Sequence, residues 1–183
     1  MQRPIFLVGP RASGKTSLGR ILAERLDILF LDTDDLAVTL LGQSIADHVA
    51  VRGWDSFRAI ETRALNQAAA LAGKDGGVIA CGGGIVLKPE NRAVLSRGQV
   101  AYLCADPEIL ARRLASDPLE AQRPSLTGGS VIDEVRDVLA RREPLYRQTA
   151  DVVLDAGLPL EELVERACER LRPGRRNCNS HEK

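Results

Sequence analysis

Gly9-Pro-Arg-Ala-Ser-Gly-Lys-Thr16 fits the spacing Gly-x-x-x-x-Gly-Lys-Ser/Thr. In that pattern glycines let successive backbone N–H groups curl around phosphate oxygens at the start of a helix. The predicted ATP-binding stretch is therefore Gly9, Pro10, Arg11, Ala12, Ser13, Gly14, Lys15, Thr16 and Ser17. Lys15 would reach the β and γ phosphates, and the Thr16 hydroxyl would ligate Mg²⁺. A plain glycine turn is the alternative, but the match follows the apolar run Ile5-Phe-Leu-Val8 and opens a helical pattern, the context that a phosphate loop requires.

Holding a nucleotide does not by itself make a kinase, because GTPase switches and motor ATPases use the same loop. The Asn-Lys-x-Asp and Asp-x-x-Gly patterns expected of a GTPase are both missing from the sequence. A kinase needs a phosphoryl acceptor, and several groups could hold one. Asp32-Thr-Asp-Asp35 follows the second apolar run. If that segment is extended, Asp32 and Asp34 project alike, one toward metal and one toward an acceptor hydroxyl. Alternatively, Asp34 or Asp35 caps a helix beginning near Leu36.

Trp54, Phe57, Arg58 and Glu61 are spaced three and four apart, on nearly one helix face. Arg58 and Glu61 could be an ordinary surface pair, or Arg58 could bind a carboxylate bidentately beside the aromatics. Gly82-Gly-Gly84 is either a tight turn or a place where a ligand approaches backbone closely, and three glycines at a strand end favour the second. Arg141-Arg142-Glu143 alone would be a solvated charge run.

Short apolar stretches, Ile28–Leu31, Gly77–Cys81, Gln99–Cys104 and Asp151–Leu154, join Ile5–Val8 as predicted strands buried on both faces. Helical spacing runs through Ser17–Leu26, Leu36–Leu41, Asp55–Leu71, Pro89–Leu95, Pro107–Ala115 and Val131–Tyr146. This alternation implies an α/β fold with a parallel sheet and ligands at the carboxyl ends of its strands. The loop-like stretch Ser116–Gly129 suits a moving lid. The tail from Arg172 loses apolar periodicity and is expected to be disordered, leaving residues 1–171 as one domain.

Taken in order, Gly9–Thr16, Asp32-Thr-Asp34, Phe57-Arg58-x-x-Glu61, Gly82-Gly-Gly84, Arg123-Pro124 with Leu126-Thr-Gly128, and Arg142-x-x-Leu145-Tyr146 resemble the shikimate kinase family. Gly9-Pro-Arg11 and Tyr102-Leu-Cys104 look most similar to its second bacterial isoform. The resemblance implies a P-loop kinase of nucleoside-monophosphate-kinase type, with a five-stranded parallel sheet and a mobile lid over about residues 112–129. Such an enzyme transfers the γ-phosphoryl of ATP to the 3-hydroxyl of shikimate, in aromatic amino-acid biosynthesis. The resemblance further implies Lys15, Asp34 and Arg123 as catalytic residues, and Thr16 with Asp32 at Mg²⁺. Asp34, Arg58, Gly82, Gly83, Gly84 and Arg142 would bind shikimate. Arg123 would close over the phosphates, and Arg113 would lie against adenine; Gly157-Leu-Pro159 is a further candidate for adenine contact by position.

Other classes remain: another small-molecule kinase such as a gluconate kinase, or a non-catalytic nucleotide-binding module. The 25 basic and 25 acidic residues cancel, so no overall field attracts nucleic acid or anionic lipid. Four apolar residues before Gly9 are too few for a secretory or spanning segment, which predicts a cytoplasmic protein, expected as a monomer. Cys81, Cys104, Cys168 and Cys178 contain no Cys-x-x-Cys pair and fit neither a zinc site nor a disulfide scaffold. Cys81 and Cys104 are expected as small buried hydrophobes.

Overall fold

In the computed structural model, residues 2–73, 75–116 and 130–171 are described. Five parallel strands form one sheet: β1 (Ile5–Val8), β2 (Leu29–Asp32), β3 (Gly77–Ala80), β4 (Gln99–Cys104) and β5 (Val152–Asp155). Their order is β2-β3-β1-β4-β5, so β1 is central and the chain leaves it first to one side and then to the other. The crevice at such a reversal lies outside the carboxyl ends of the strands. Leu7 pairs with Ala80, and Ala80 with Asp32, which sets the ends of β1, β3 and β2 level.

β1 and β3 are fully buried, as continuous apolar runs require. The edge strands depart from that expectation. β2 and β5 are only partly covered, with Leu29 and Val153 exposed, because an edge strand lacks a neighbour and part of its helix cover.

The helices are α1 (Lys15–Leu26), α2 (Thr33–Leu41), α3 (Ile45–Ala72), α4 (Pro89–Leu95), α5 (Pro107–Ser116), α6 (Val131–Thr149) and α7 (Leu160–Arg170). Two helical stretches were not legible in the periodicity. α3 begins ten residues before Asp55, since Ser44 caps it by accepting from the Asp47 N–H, and Gly53 (φ 74°, ψ 170°) kinks it. α7 presents Leu163, Val164 and Ala167 to the core against an otherwise charged face, and packs against α1.

Two main apolar clusters lie on opposite faces of the sheet, one around Leu18, Leu22, Leu110 and Leu163, the other around Leu65, Leu95, Tyr102 and Tyr146. A third and smaller cluster, Ala37, Val49, Phe57 and Ala64, joins α2 to α3. The α2–α3 unit thus carries its own packing, which holds Trp54, Phe57 and Arg58 over the end of the sheet. Cys81 is buried as expected, whereas Cys104 and Cys168 are only partly so. Cys178 and the expected tail lie outside the described residues. Among the described residues no helix is long and apolar enough to cross a membrane.

Candidate functional site

The loop after β1 turns through Gly9 (φ 150°), Ala12 (φ 59°) and Gly14 (φ 85°), and α1 starts at Lys15. A Cβ at Gly9 would lie 2.7 Å from the Leu103 carbonyl oxygen, so the loop's entry tolerates no side chain. Ser13 Oγ donates to the Pro10 carbonyl at 2.9 Å, and the Lys15 ammonium donates to the same carbonyl at 2.6 Å. The lysine lies across its own loop, where phosphate oxygens can exchange for these acceptors.

Thr16 Oγ1 donates to Asp32 Oδ2 at 2.8 Å, and Asp32 Oδ1 accepts from the Asp34 N–H at 2.9 Å. Asp32 is therefore the N-cap of α2, with Asp34 and Asp35 in its first turn. This corrects two expectations. The helix starts at Thr33 rather than Leu36, so neither Asp34 nor Asp35 caps it, and Asp32 and Asp34 are not alternating residues of an extended segment. The helical turn, not strand pleating, brings Asp34 against Gly82. The hydroxyl of Thr16 and carboxylate of Asp32 form a hard-oxygen pair suited to Mg²⁺. Among the described residues no group of three or more His, Cys, Asp or Glu could cage a metal.

Arg58 and Glu61 are not a surface pair. Arg58 Nη1 donates to Glu61 Oε2 at 2.7 Å, and the Glu61 side chain is 2% exposed. The guanidinium carbon lies 5.1 Å from the Trp54 ring centre and 5.7 Å from that of Phe57, within cation–π range. Burial raises the Glu61 pKa, against the lowering effect of Arg58.

Two of the three glycines, Gly82 and Gly84, are explained by side chains that press on them, whereas a Cβ at Gly83 would meet nothing closer than 3.5 Å. A Cβ at Gly82 would lie 2.7 Å from Asp34 Oδ1 and 2.9 Å from Glu61 Oε1, and one at Gly84 only 1.8 Å from Arg58 Nη1. The Gly82 N–H is held by Thr33 Oγ1 at 2.8 Å. The Gly83 carbonyl accepts from Arg142 Nη1 at 3.0 Å and from the Tyr146 hydroxyl at 2.5 Å. Arg142 is thus tied to the Gly83 backbone and partly buried rather than a solvated charge run. Tyr146 sits one turn further along α6, stacked on Tyr102 with ring centres 5.0 Å apart. Its burial pushes the phenol up to about 12, keeping it a neutral donor.

These residues surround three adjoining depressions. The first, called the phosphate pocket from the expectation above, is lined by the loop, Asp32, Asp34 and Gly82–Gly83, together with Arg20 from α1. The second, where the sequence reading expects the acceptor and hence called the acceptor pocket, is lined by Asp34, Ile45, Trp54, Phe57, Arg58, Gly83 and Arg142 among others. A third pocket, beyond Ala12 and Gly14, carries Arg113, Ala156, Leu158, Leu160 and Leu163. Arg113 donates to the Ala12 carbonyl at 3.3 Å and to the Ala156 carbonyl at 2.9 Å, tying the loop to the strand end after β5.

The expected site residues in the described part, apart from Gly9 and Pro10 within the loop, all line these three depressions. Arg123 and the lid stretch 117–129 lie outside the described residues; residues 112–116, expected to begin the lid, are the last turn of α5. Ile45, Tyr146 and Leu160 were not singled out from the sequence as site residues. Ile45 belongs to the unforeseen arm of α3 and Leu160 to the unforeseen α7, while the spacing of Arg142 and Tyr146, one turn apart, was the available signal for the tyrosine.

The family model described as shikimate kinase matches residues 11–172. A protein named Shikimate kinase 2 from Yersinia enterocolitica is 48% identical over 166 residues, covering 90% of this chain and 93% of the relative. A shikimate kinase from Oleidesulfovibrio alaskensis is 51% identical over 156 residues, covering 85% and 89%. Among solved structures, a shikimate kinase from Acinetobacter baumannii in complex with shikimate superposes with a TM-score of 0.82 at 33% identity, covering 91% of each chain.

Proposed function

The chain belongs to the shikimate kinase family, and on that premise we propose that its three depressions hold adenine, the phosphates and shikimate in line for transfer to the shikimate 3-hydroxyl. The activity is that of an ATP-dependent shikimate kinase. The observation that carries the geometric reading is the shared wall at Asp34 and Gly83. These residues line both the phosphate pocket and the acceptor pocket, so donor and acceptor meet there.

In this reading the loop N–H groups and Lys15 bind the β and γ phosphates, and Arg113 and Leu158 border the base. Thr16 and Asp32 would hold Mg²⁺, which when bound neutralises charge on the phosphate oxygens. Arg58, pre-set by Glu61, clamps the shikimate carboxylate together with Arg142, and the aromatics keep water from that face. Asp34 orients the attacking hydroxyl and accepts its proton. Its carboxylate, 2.7 Å from where a Cβ at Gly82 would lie, stands at the end of the sheet, where a bound ring hydroxyl can be reached. Arg123 is assigned to closure over the phosphates.

Phosphoryl transfer depends on position and charge stabilisation more than on covalent chemistry, and these groups supply both. The test is ADP release measured with shikimate, gluconate and nucleoside monophosphates as acceptors. Turnover with shikimate alone is expected. Turnover with gluconate or a nucleotide but not shikimate would overturn the assignment.

A further inference from the structure

Arg11 joins Asp34 and Gly83 in lining both the phosphate pocket and the acceptor pocket. These three are the residues common to the two linings, and a group passing from donor to acceptor must cross the seam they form. Asp34 brings an anion there and Gly83 brings backbone; Arg11 is the cation of the three. The other lining cations serve one side each: Lys15 and Arg20 border the phosphate pocket, Arg58 and Arg142 the acceptor pocket. The stem of Arg11 runs along the glycine wall. A Cβ added at Gly83 would be 3.6 Å from Arg11 N and 3.8 Å from its Cγ.

We infer that the Arg11 side chain is a catalytic cation that contacts the γ-phosphoryl group as it crosses this seam, a role distinct from its backbone's place in the phosphate loop. The inference deepens the proposed reading and rests on it. In the step itself, the acceptor hydroxyl oxygen bonds to the γ-phosphorus and its proton passes to the Asp34 carboxylate. The bond from the γ-phosphorus to the β,γ-bridging oxygen breaks, and its electron pair leaves with ADP. Charge spreads over three equatorial oxygens midway.

An Asp34 carboxylate at the same seam repels that charge. A guanidinium facing it offsets the repulsion and presents forked N–H donors to two oxygens at once. Lys15 holds donor oxygens before transfer as well as during it, and so contributes much uniform binding. A cation at the crossing point acts chiefly on the transition state, where binding raises kcat.

The test uses the full chain and its Arg11→Ala, Arg11→Gln and Arg11→Lys variants, with both substrates varied. Wild-type turnover of shikimate checks the underlying reading separately: if it fails, that reading fails with it. With wild-type activity present, Arg11→Ala and Arg11→Gln are expected to lose about 100- to 1,000-fold in kcat, the range for deleting one transition-state donor. ADP and shikimate dissociation constants should stay within about threefold, which also reports a folded protein.

Arg11→Lys should retain more kcat than Arg11→Gln, and added guanidinium should restore part of the Arg11→Ala activity. Wild type should form a tight complex with ADP, aluminium fluoride and shikimate that Arg11→Ala does not. Equal kcat in the Lys and Gln variants overturns the inference. So does a loss confined to one KM, which would make Arg11 a binding residue.

Discussion

Replacing Gly84 by alanine would put a Cβ 1.8 Å from Arg58 Nη1 and 2.3 Å from Arg58 Cζ. Neither separation can be kept, so the guanidinium must move. An arginine tip is ordinarily free to do so, but this one is held by Glu61 at 2.7 Å and by the faces of Trp54 and Phe57. Displacing it separates the pair and leaves the Glu61 carboxylate buried without its partner. Breaking a buried pair in this way costs about 3–5 kcal/mol if nothing relaxes. Protonation of Glu61, whose pKa burial already raises, will lower that cost.

On the ligand side, a charge-assisted hydrogen bond to the shikimate carboxylate is worth about 1.5–3 kcal/mol. Its loss corresponds to about 10- to 150-fold in the shikimate KM. The ATP KM should change less than about threefold, since Arg58 borders the acceptor pocket and not the phosphate pocket. A coupled ADP-release assay varying each substrate, with a thermal melt alongside, makes the measurement. A shikimate KM within twofold of wild type would refute the claim that Gly84 exists to admit Arg58. A parallel rise in both KM values would refute the separation of the two pockets.

Asp34→Asn is expected to keep ADP binding while reducing kcat by about 100-fold or more, the span of general-base effects; calorimetry with ADP and steady-state kinetics check the two halves, and near-wild-type kcat would remove Asp34 from its role. The Glu61 carboxyl gives a pH signature, because its folded-state pKa lies above the usual value of 4.5. The folded protein therefore holds this proton more tightly than the unfolded chain. The resulting stability is full below that usual value and is lost as pH rises through the raised one. Glu61→Gln should flatten this part of the stability profile while weakening shikimate binding through Arg58, as denaturant titrations across acidic to neutral pH would report; an unchanged slope would mean that Glu61 titrates normally.

Sequence spacing located the phosphate loop and the positions of the strands along the chain because both are local: glycine and lysine positions dictate the turn, and continuous apolar runs dictate burial. Pairing Ala80 with both Leu7 and Asp32 then followed from the parallel sheet. The α3 arm and α7 were illegible for a different reason. In α3, Gly53 interrupts the pattern, and the arm packs only against a small satellite cluster, so its apolar signal is short. In α7, charged residues crowd every turn and only Leu163, Val164 and Ala167 report the buried face.

What the amino-acid order determined alone was the phosphate loop, whose chemistry sits within one short stretch of chain from Gly9 to Thr16; Asp32 and Arg113 reach that loop only in the fold. The proposed acceptor half was named from the sequence only through the family resemblance, and its assembly depended on tertiary structure, because Asp34, Arg58, Gly83 and Arg142 come from four separate segments and meet only where the sheet ends. Arg58 and Glu61 had the same spacing as any solvated helix pair; only the burial conferred by Trp54, Phe57 and the glycine wall distinguished them. Burial depends on what packs across from a residue, and sequence spacing records only what lies beside it.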